Sequence, residues 1–164
     1  MTRAARDGTP IANAGVRFPP PFLFAAGFIA GWLLHRSSPL EFIPREWQPA
    51  STVAGLLAAA AGLAFMLWAF ATFLRHRTAV LPHRPASTLV RDGPYRYSRN
   101  PMYVGLTALY AGVAFVAHML WPLILLPIVL LLLVLLVIRR EERYLASAFG
   151  AEYEEYRGQV RRWL

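Results

Sequence analysis

Long apolar blocks alternate along this chain with polar stretches that are rich in arginine and proline. Four apolar segments cover residues 21–35, 51–74, 102–118 and 122–138. A membrane-spanning helix needs about 20 mostly apolar residues, so the second segment is long enough, whereas the first would be a tilted span or one extended by its flanks. We therefore expect an all-α polytopic membrane protein with about four transmembrane helices.

The connections between these segments differ in length. The interval between the third and fourth segments has room only for a tight turn, which predicts a helical hairpin. Two longer linkers cover residues 36–50 and 75–100, and the second carries most of the polar side chains. Residues 1–18 are predicted to be a tail without a signal-peptide cleavage site. The length of 164 residues suits one compact domain, so a single membrane domain is expected.

Residues 139–164 predict an amphipathic cytosolic helix after the fourth apolar segment. Its apolar face is formed by side chains at three- and four-residue steps, namely Leu145, Phe149, Tyr153, Tyr156 and Val160. Gly150 is a candidate hinge or break in this helix. The helix would either lie on the membrane surface or pack as a lid against the 75–100 linker.

The arginines indicate an orientation. All 17 basic residues are arginines, and fifteen of them lie in the two tails and the 75–100 linker, against two in the 36–50 linker. With four spans, the tails and the 75–100 linker share one side, which the positive-inside rule makes the cytoplasm. We therefore expect a protein of the bacterial inner membrane with both termini cytoplasmic.

Composition narrows the class of protein further. The chain is 57% hydrophobic and has a net charge of +8. Because the charges flank apolar segments and no nucleic-acid-binding motif is present, membrane lipids are the expected partners and nucleic acid is not. The absence of cysteine excludes disulfides, thiolate metal sites and a cysteine nucleophile. The four histidines lack metal-ligand spacing, so no metal site is predicted.

The most unusual polar stretch is GPYRYSRNPMYVG, residues 93–105, just before the third apolar segment. Gly93-Pro94 predicts a turn, and Asn100-Pro101 predicts a helix start with an N-cap followed by proline at the first position. The free N–H groups of such a helix start suit a carboxylate or a phosphate. Gly105 is typical of close helix packing in a membrane.

Two further features of this region leave alternatives open. Tyr95, Tyr97 and Tyr103 form either an interfacial aromatic belt or the wall of a pocket for a cation or an adenine. Glu141 and Glu142 follow the fourth segment, where neighbouring carboxylates would repel each other near the membrane. They either pair with nearby arginines or bind a cationic or hydroxyl-rich ligand.

Together these blocks resemble a known family. LVRDGPYRYSRNPMYVG at residues 89–105, a hydrophobic hairpin, and REERYL…FGAEYEEYRGQVRRWL at residues 140–164 are similar to the membrane-embedded isoprenylcysteine carboxyl methyltransferase and phospholipid methyltransferase superfamily. The family motif RHP or RNP followed by xYxG is matched from Arg99 to Gly105, and the second element by the Glu pair. Carboxyl methyltransferases usually have His where this chain has Asn100, and the NPMYxG form resembles the phospholipid branch.

The resemblance implies S-adenosylmethionine as cofactor, bound in a cytosolic pocket between the 75–100 linker and the helix after the hairpin. The cofactor-binding residues that it implies are Leu89, Val90, Gly93, Tyr95, Arg99, Asn100, Pro101, Tyr103, Gly105, Glu141 and Glu142. The catalytic residues that it implies are Glu142, Arg99 and Tyr103. The expected reaction is methyl transfer to a lipophilic acceptor, such as a prenylcysteine-like carboxylate, a phospholipid amine or a small hydrophobic thiol.

Two other functions remain open from the sequence. One is an NADPH-dependent enzyme like the sterol reductases, which have a similar C-terminal architecture but are larger and have more spans. The other is a non-catalytic membrane protein that binds anionic lipid through its arginine-rich linker. Binding of S-adenosylmethionine or of NADPH would distinguish among the three.

Overall fold

The computed structural model describes residues 19–76 and 88–164, and every regular element within these ranges is a helix. The helices are α1 (Pro20–Ser37), α2 (Gln48–Arg75), α3 (Pro101–Val116), α4 (Leu120–Leu133), α5 (Arg139–Phe149) and α6 (Ala151–Gln159). The predicted tail of residues 1–18 and linker residues 77–87 lie outside the described residues. The all-α fold class is confirmed for the described part of the chain.

Two of the described helices are long and apolar enough to cross a membrane. One covers Arg45–Arg75, which is α2 and the short 3₁₀ turn before it. The other covers Leu120–Phe149, in which the π-helical segment Val134–Ile138 joins α4 to α5. α3 is a shorter apolar helix. The number of helices that actually cross the bilayer stays a prediction.

Proline marks the beginning of three helices. Pro20, Pro49 and Pro101 each lie in the first turn of α1, α2 and α3 respectively. The first turn tolerates proline because the missing N–H would have no partner within the helix there. For this reason α2 begins before residue 51, at the Gln48-Pro49 pair, and α3 begins where the Asn-Pro pair predicted a helix start.

α2 and α3 pack along each other through an antiparallel row of glycines. Gly62 faces Gly105, and Gly55 faces Gly112, with a seven-residue spacing on both helices. A Cβ added to Gly62 would lie 2.6 Å from the Gly105 carbonyl oxygen, and one added to Gly112 would lie 2.6 Å from that of Gly55. The two backbones therefore approach so closely that no side chain fits between them, which is the packing typical of small residues in membrane helices.

α1 packs along α4, from Phe24 to Gly31. A Cβ on Gly31 would lie 2.6 Å from the backbone nitrogen of Pro122. Phe24 and Phe28 make edge contacts with Tyr110 of α3, whose hydroxyl donates a 3.0 Å hydrogen bond to the Pro122 carbonyl. α1, α3 and α4 thus meet around one buried tyrosine.

Large apolar side chains cover the outer faces of the longest helices. On α2, Leu57 is 66% exposed, and on α4, Ile128 and Leu131 are 55% and 56% exposed. A soluble protein rarely exposes so many large apolar side chains together. Contact with lipid explains this surface, so the fold is that of a membrane protein.

The junction of α4 and α5 places polar groups just beyond the apolar region. The continuous helix of 30 residues is about 45 Å long, whereas the hydrocarbon core of a bilayer is about 30 Å thick. Leu133, Val137 and Ile138 are fully buried, and the charged α5 follows directly. A bilayer core would therefore not cover the whole helix, and the charged α5 lies at the end that contacts the linker.

The predicted C-terminal amphipathic helix consists of two helices. α5 ends at Phe149, Gly150 has a φ of 52°, and α6 begins at Ala151. A positive φ is readily adopted by glycine, so the sequence break coincides with the candidate hinge. The kink turns Tyr153 and Tyr156 of α6 inward, where both are buried.

Candidate functional site

Linker residues 90–96 are docked against the end of α2. Gly93 has a φ of 55° and begins a 3₁₀ turn, and a Cβ added to it would lie 3.0 Å from the Thr72 hydroxyl oxygen. Tyr95 is buried and packs edge-on against Phe73, with ring centroids 5.0 Å apart. The turn predicted from Gly93-Pro94 is present, and it fixes the direction in which the chain approaches α3.

The central feature of the site is an ion-pair cluster around Glu142. Its carboxylate is 3.2 Å from Nη1 of Arg99 and accepts two hydrogen bonds from Arg162, at 2.9 Å from Nε and 2.8 Å from Nη2. The side chains of Glu142 and Arg99 are only 18% and 11% exposed. Two guanidinium groups thus neutralise one nearly buried carboxylate, which joins the linker to α5.

Glu141 has a different environment from its neighbour. Its carboxylate accepts a 2.8 Å hydrogen bond from the Tyr103 hydroxyl of α3. Burial raises the pKa of the Glu141 carboxyl to about 7, and the Tyr103 hydrogen bond partly opposes this effect. The Glu141 carboxyl is therefore partly protonated at neutral pH.

The short segment of residues 160–164 returns to the start of α3. The Arg162 carbonyl accepts hydrogen bonds from the Asn100 side-chain amide at 3.0 Å and from the Ser98 hydroxyl at 3.2 Å. The Arg99 backbone N–H donates a 2.9 Å hydrogen bond to the Arg161 carbonyl. Asn100 lies at the N-cap of α3, yet its side chain makes no cap hydrogen bond and binds this segment instead.

α6 packs against the linker, which is the lid-like one of the two predicted arrangements. The buried Tyr156 hydroxyl donates a 2.7 Å hydrogen bond to the Tyr95 carbonyl. Arg99 Nη1 donates a 3.3 Å hydrogen bond to the Tyr153 hydroxyl. Burial raises the pKa of both the Tyr153 and the Tyr156 hydroxyl, so both stay protonated.

The predicted site residues divide into two groups. Arg99, Asn100, Tyr103, Glu141 and Glu142 come together around the two carboxylates. The remaining predicted residues lie in the linker and at the interface of α2 with α3. The residues that converge thus come from both predicted blocks, although about 40 positions separate the blocks in the sequence.

Most of the remaining predicted residues support the linker or the helix packing. Val90 is buried with Ala69 and Tyr95, Leu89 is half-buried, and Pro101 is fully buried in the first turn of α3. Gly105 faces Gly62 on α2. Tyr103 lies on the opposite face of α3, because residues two apart point to opposite sides of a helix.

Some of the site was not predicted from the sequence. Arg162, Tyr153 and Tyr156 all contact the cluster or the linker through side chains. The apolar face through Tyr153 and Tyr156 was visible in the sequence, but nothing indicated what it would contact. Arg162 could not be distinguished from Arg161 beside it, because only the fold shows which guanidinium reaches Glu142.

The exposed tyrosine of the motif is Tyr97, which is 61% exposed. It therefore lies outside the cluster, whereas Tyr95 and Tyr103 point inward. Among the described residues, no group of three or more histidine or acidic side chains is arranged to hold a metal ion.

Comparison with known proteins identifies related sequences. The chain is 39% identical over 72 residues to the protein-S-isoprenylcysteine O-methyltransferase of Schizosaccharomyces pombe, which covers 44% of this chain and 30% of that protein. It is 37% identical over 73 residues to the cobalt-zinc-cadmium resistance protein CzcN of Cupriavidus metallidurans, covering 44% of this chain and 33% of that protein. The aligned regions thus span about a third of these relatives.

No solved structure matches the chain with comparable significance. The model of one family, the phospholipid methyltransferases, matches residues 50–152, which include most of α2, the described linker residues, α3, α4 and α5. This region holds both glutamates and the whole NPMYVG motif. Since the match covers more than half of its residues, the chain belongs to the phospholipid methyltransferase family.

Proposed function

We propose that the protein is an integral-membrane, S-adenosylmethionine-dependent methyltransferase that acts on a lipophilic acceptor. The observation that carries this proposal is the convergence of the RNPMYVG block with the Glu pair, through the Arg99–Glu142 ion pair and the Tyr103–Glu141 hydrogen bond. Family membership and the methyltransferase named among the relatives support the same reaction class.

The chemistry of the side chains fits the proposed cofactor. S-Adenosylmethionine supplies an activated methyl group on a sulfonium when bound, and it also carries an ammonium, a carboxylate and ribose hydroxyls. Glu141 offers a carboxylate that no described arginine neutralises, which suits an ammonium or a hydroxyl. Arg99 Nε is buried without a hydrogen-bond partner in the described part of the chain, which is a donor suited to a carboxylate.

The two glutamates take different roles in this proposal. Glu142 is held between two guanidinium groups, so its role is to fix Arg99 and the linker relative to α5. Glu141 has a single described hydrogen bond and a pKa near neutrality, so it is the carboxylate available to bind a cation or accept a proton. The catalytic role first given to Glu142 therefore moves to Glu141, with Tyr103 as its orienting partner.

The membrane position of the site argues for an acceptor that enters from the lipid. The cluster lies where α5 leaves the apolar region, next to the start of α3. A lipid with its reactive head group at the interface would reach this depth without leaving the bilayer. We propose four membrane spans with the site and both termini on the cytoplasmic side of a bacterial inner membrane, as the arginine distribution indicates.

Two measurements test the proposal. Protein purified in detergent is titrated by calorimetry with S-adenosylmethionine and, separately, with NADPH. Binding of S-adenosylmethionine alone is expected. Binding of NADPH alone would instead support a reductase, and binding of neither would support an anionic-lipid-binding protein.

The second measurement identifies the acceptor. The protein is incubated with methyl-labelled S-adenosylmethionine and a total lipid extract, and the labelled product is separated and identified. A Glu141→Gln variant serves as the matched control, because it keeps the shape of the side chain and removes its negative charge. Label in a lipid that appears with the native protein and not with the variant is the expected result.

A further inference from the structure

Residues 160–164 form an arm that runs alongside residues 98–100. Three hydrogen bonds hold it there: the Arg161 carbonyl accepts one from the Arg99 backbone, and the Arg162 carbonyl accepts one from each neighbour of Arg99. The Asn100 backbone N–H in turn donates to the Ser98 hydroxyl at 3.0 Å. The arm is thus fixed by backbone groups and small polar side chains, independently of the arginine side chain that it carries.

This arm brings the Arg162 guanidinium to Glu142. The contact is bidentate, with Nε and Nη2 at 2.9 and 2.8 Å from the two carboxylate oxygens. A planar fork on a carboxylate fixes direction as well as distance, which a single point charge cannot do. The hydrogen bond with Glu142 raises the pKa of the Arg162 guanidinium, so this group remains charged.

We infer that Arg162 is a positioning residue of the site, and that Asn100 acts through it by holding its carbonyl rather than by contacting the methyl acceptor. This inference rests on the proposed function, since the arrangement that it fixes is the cofactor site. Arg162 orients Glu142, Glu142 orients the Arg99 side chain, and Arg99 presents its unpartnered Nε–H. Loss of the Arg162 fork should therefore weaken cofactor binding without any direct contact of Arg162 with the cofactor.

The alternative is that Arg162 makes a stabilising ion pair and nothing more. Its side chain is 37% exposed, and ion pairs of such partly exposed groups are often weak. A purely stabilising role would lower the unfolding midpoint of Arg162→Gln and leave cofactor affinity unchanged. A positioning role exerted through Glu142 disappears once the Glu142 carboxylate is removed, because nothing is left to orient.

The test measures the dissociation constant for S-adenosylmethionine by calorimetry in Arg162→Gln, Arg162→Lys, Glu142→Gln and the double variant Glu142→Gln/Arg162→Gln. We expect a loss of about tenfold for Arg162→Gln, the size of one charge-assisted interaction that is partly exposed to solvent. Arg162→Lys keeps the charge without the fork and should recover part of the affinity. Arg157→Gln removes the same charge from an exposed pair on α6 and should bind like the native protein.

Each outcome is informative. Failure of the native protein to bind S-adenosylmethionine overturns the proposed function, and this inference with it. Native affinity in Arg162→Gln, or an equal further loss when Arg162→Gln is added to Glu142→Gln, overturns the positioning role alone. A lowered unfolding midpoint in Arg162→Gln with unchanged affinity assigns Arg162 to stability, which also overturns it.

Discussion

The first two turns of α3 are held on opposite sides by contacts of opposite chemistry. On one side, Gly105 lies against Gly62 of α2, where the two backbones approach so closely that only a hydrogen fits between them. On the other side, Tyr103 binds Glu141 of α5. The first contact depends on the absence of a side chain and the second on particular polar atoms. Close backbone packing therefore holds α3 against α2, whereas hydrogen bonds and charges join α3 to α5 at the site.

This difference between the two faces of α3 explains how one short motif contains both a helix-packing residue and a site residue. In NPMYVG, Tyr103 and Gly105 are two residues apart and so point to opposite faces of α3. A substitution at either position would look like damage to a single functional motif. The structure separates the effects, since one should change folding and the other should change the chemistry of the site.

The largest effect is expected at the glycine row. Gly62→Ala and Gly105→Ala each place a Cβ within about 2.6 Å of a facing carbonyl oxygen, so each should destabilise the protein by about 1–3 kcal/mol. Thermal unfolding in detergent is the measurement. The two variants should lose similar stability although only Gly105 belongs to the motif. Gly158→Ala is the matched control, because its Cβ would meet no atom within 4 Å.

If Gly105→Ala kept native stability and lost cofactor binding, the comparison would fail. Gly105 would then belong to the site, as the family resemblance implies. If both variants lost stability and retained cofactor affinity in the folded fraction, Gly105 would be assigned to helix packing.

The next effect is expected at Glu142, the centre of the charged cluster. Glu142→Gln leaves the nearly buried Arg99 and the partly buried Arg162 without their shared carboxylate. Removing one partner of a buried pair costs more than the pair contributes, and here we expect a loss of about 2 kcal/mol in unfolding free energy. Denaturant unfolding checks the value. Glu154→Gln, which breaks an exposed pair with Arg157, should change stability far less, and an equal loss in both variants would contradict the role of burial.

Much of the fold was predictable because a lipid environment constrains the sequence strongly. Apolar length, arginine-rich linkers and the Asn-Pro helix start indicated the helices close to where they lie. The pairing of α2 with α3 was not predictable, since the row of facing glycines becomes visible only when the register of both helices is known. A seven-residue spacing on each helix was present in the sequence as a signal that could have been used.

The site was predictable in part for a different reason. The resemblance placed Arg99, Tyr103 and the two glutamates together, and the structure brings them together. Single-residue reasoning could not distinguish Glu141 from Glu142, because their difference arises from the arginines that reach only one of them. Nor could it show that Asn100 binds the arm of residues 160–164 instead of capping α3.

A smaller, pH-dependent effect is expected from Glu141. Its pKa is raised to about 7, so below this pH the carboxyl is protonated and cannot pair with an ammonium. Cofactor affinity should therefore fall as the pH falls through 7, by about tenfold between pH 8 and pH 6.

Tyr103→Phe removes a hydrogen bond that lowers the pKa of Glu141, so the midpoint of the pH dependence should move to higher pH in this variant. Calorimetry across the pH range measures both, and Glu141→Gln should remove the dependence. A native midpoint in Tyr103→Phe would contradict the coupling.

The smallest effect on stability is expected at the solvent-exposed ion pairs of Arg91. Arg91 lies 2.9 Å from Glu152 and 3.7 Å from Glu155, so it links the linker to α6 as Arg99 links it to α5. Yet the Arg91 and Glu152 side chains are 39% and 47% exposed, and water and salt screen such pairs. Arg91→Gln should change the unfolding free energy by less than about 0.5 kcal/mol at moderate salt, with little change in cofactor affinity. The buried Tyr95 already packs the linker against α2, so we expect this buried contact, rather than the number of ion pairs, to hold the linker in place. A loss as large as that of Glu142→Gln would show that exposure is the wrong measure of these contacts.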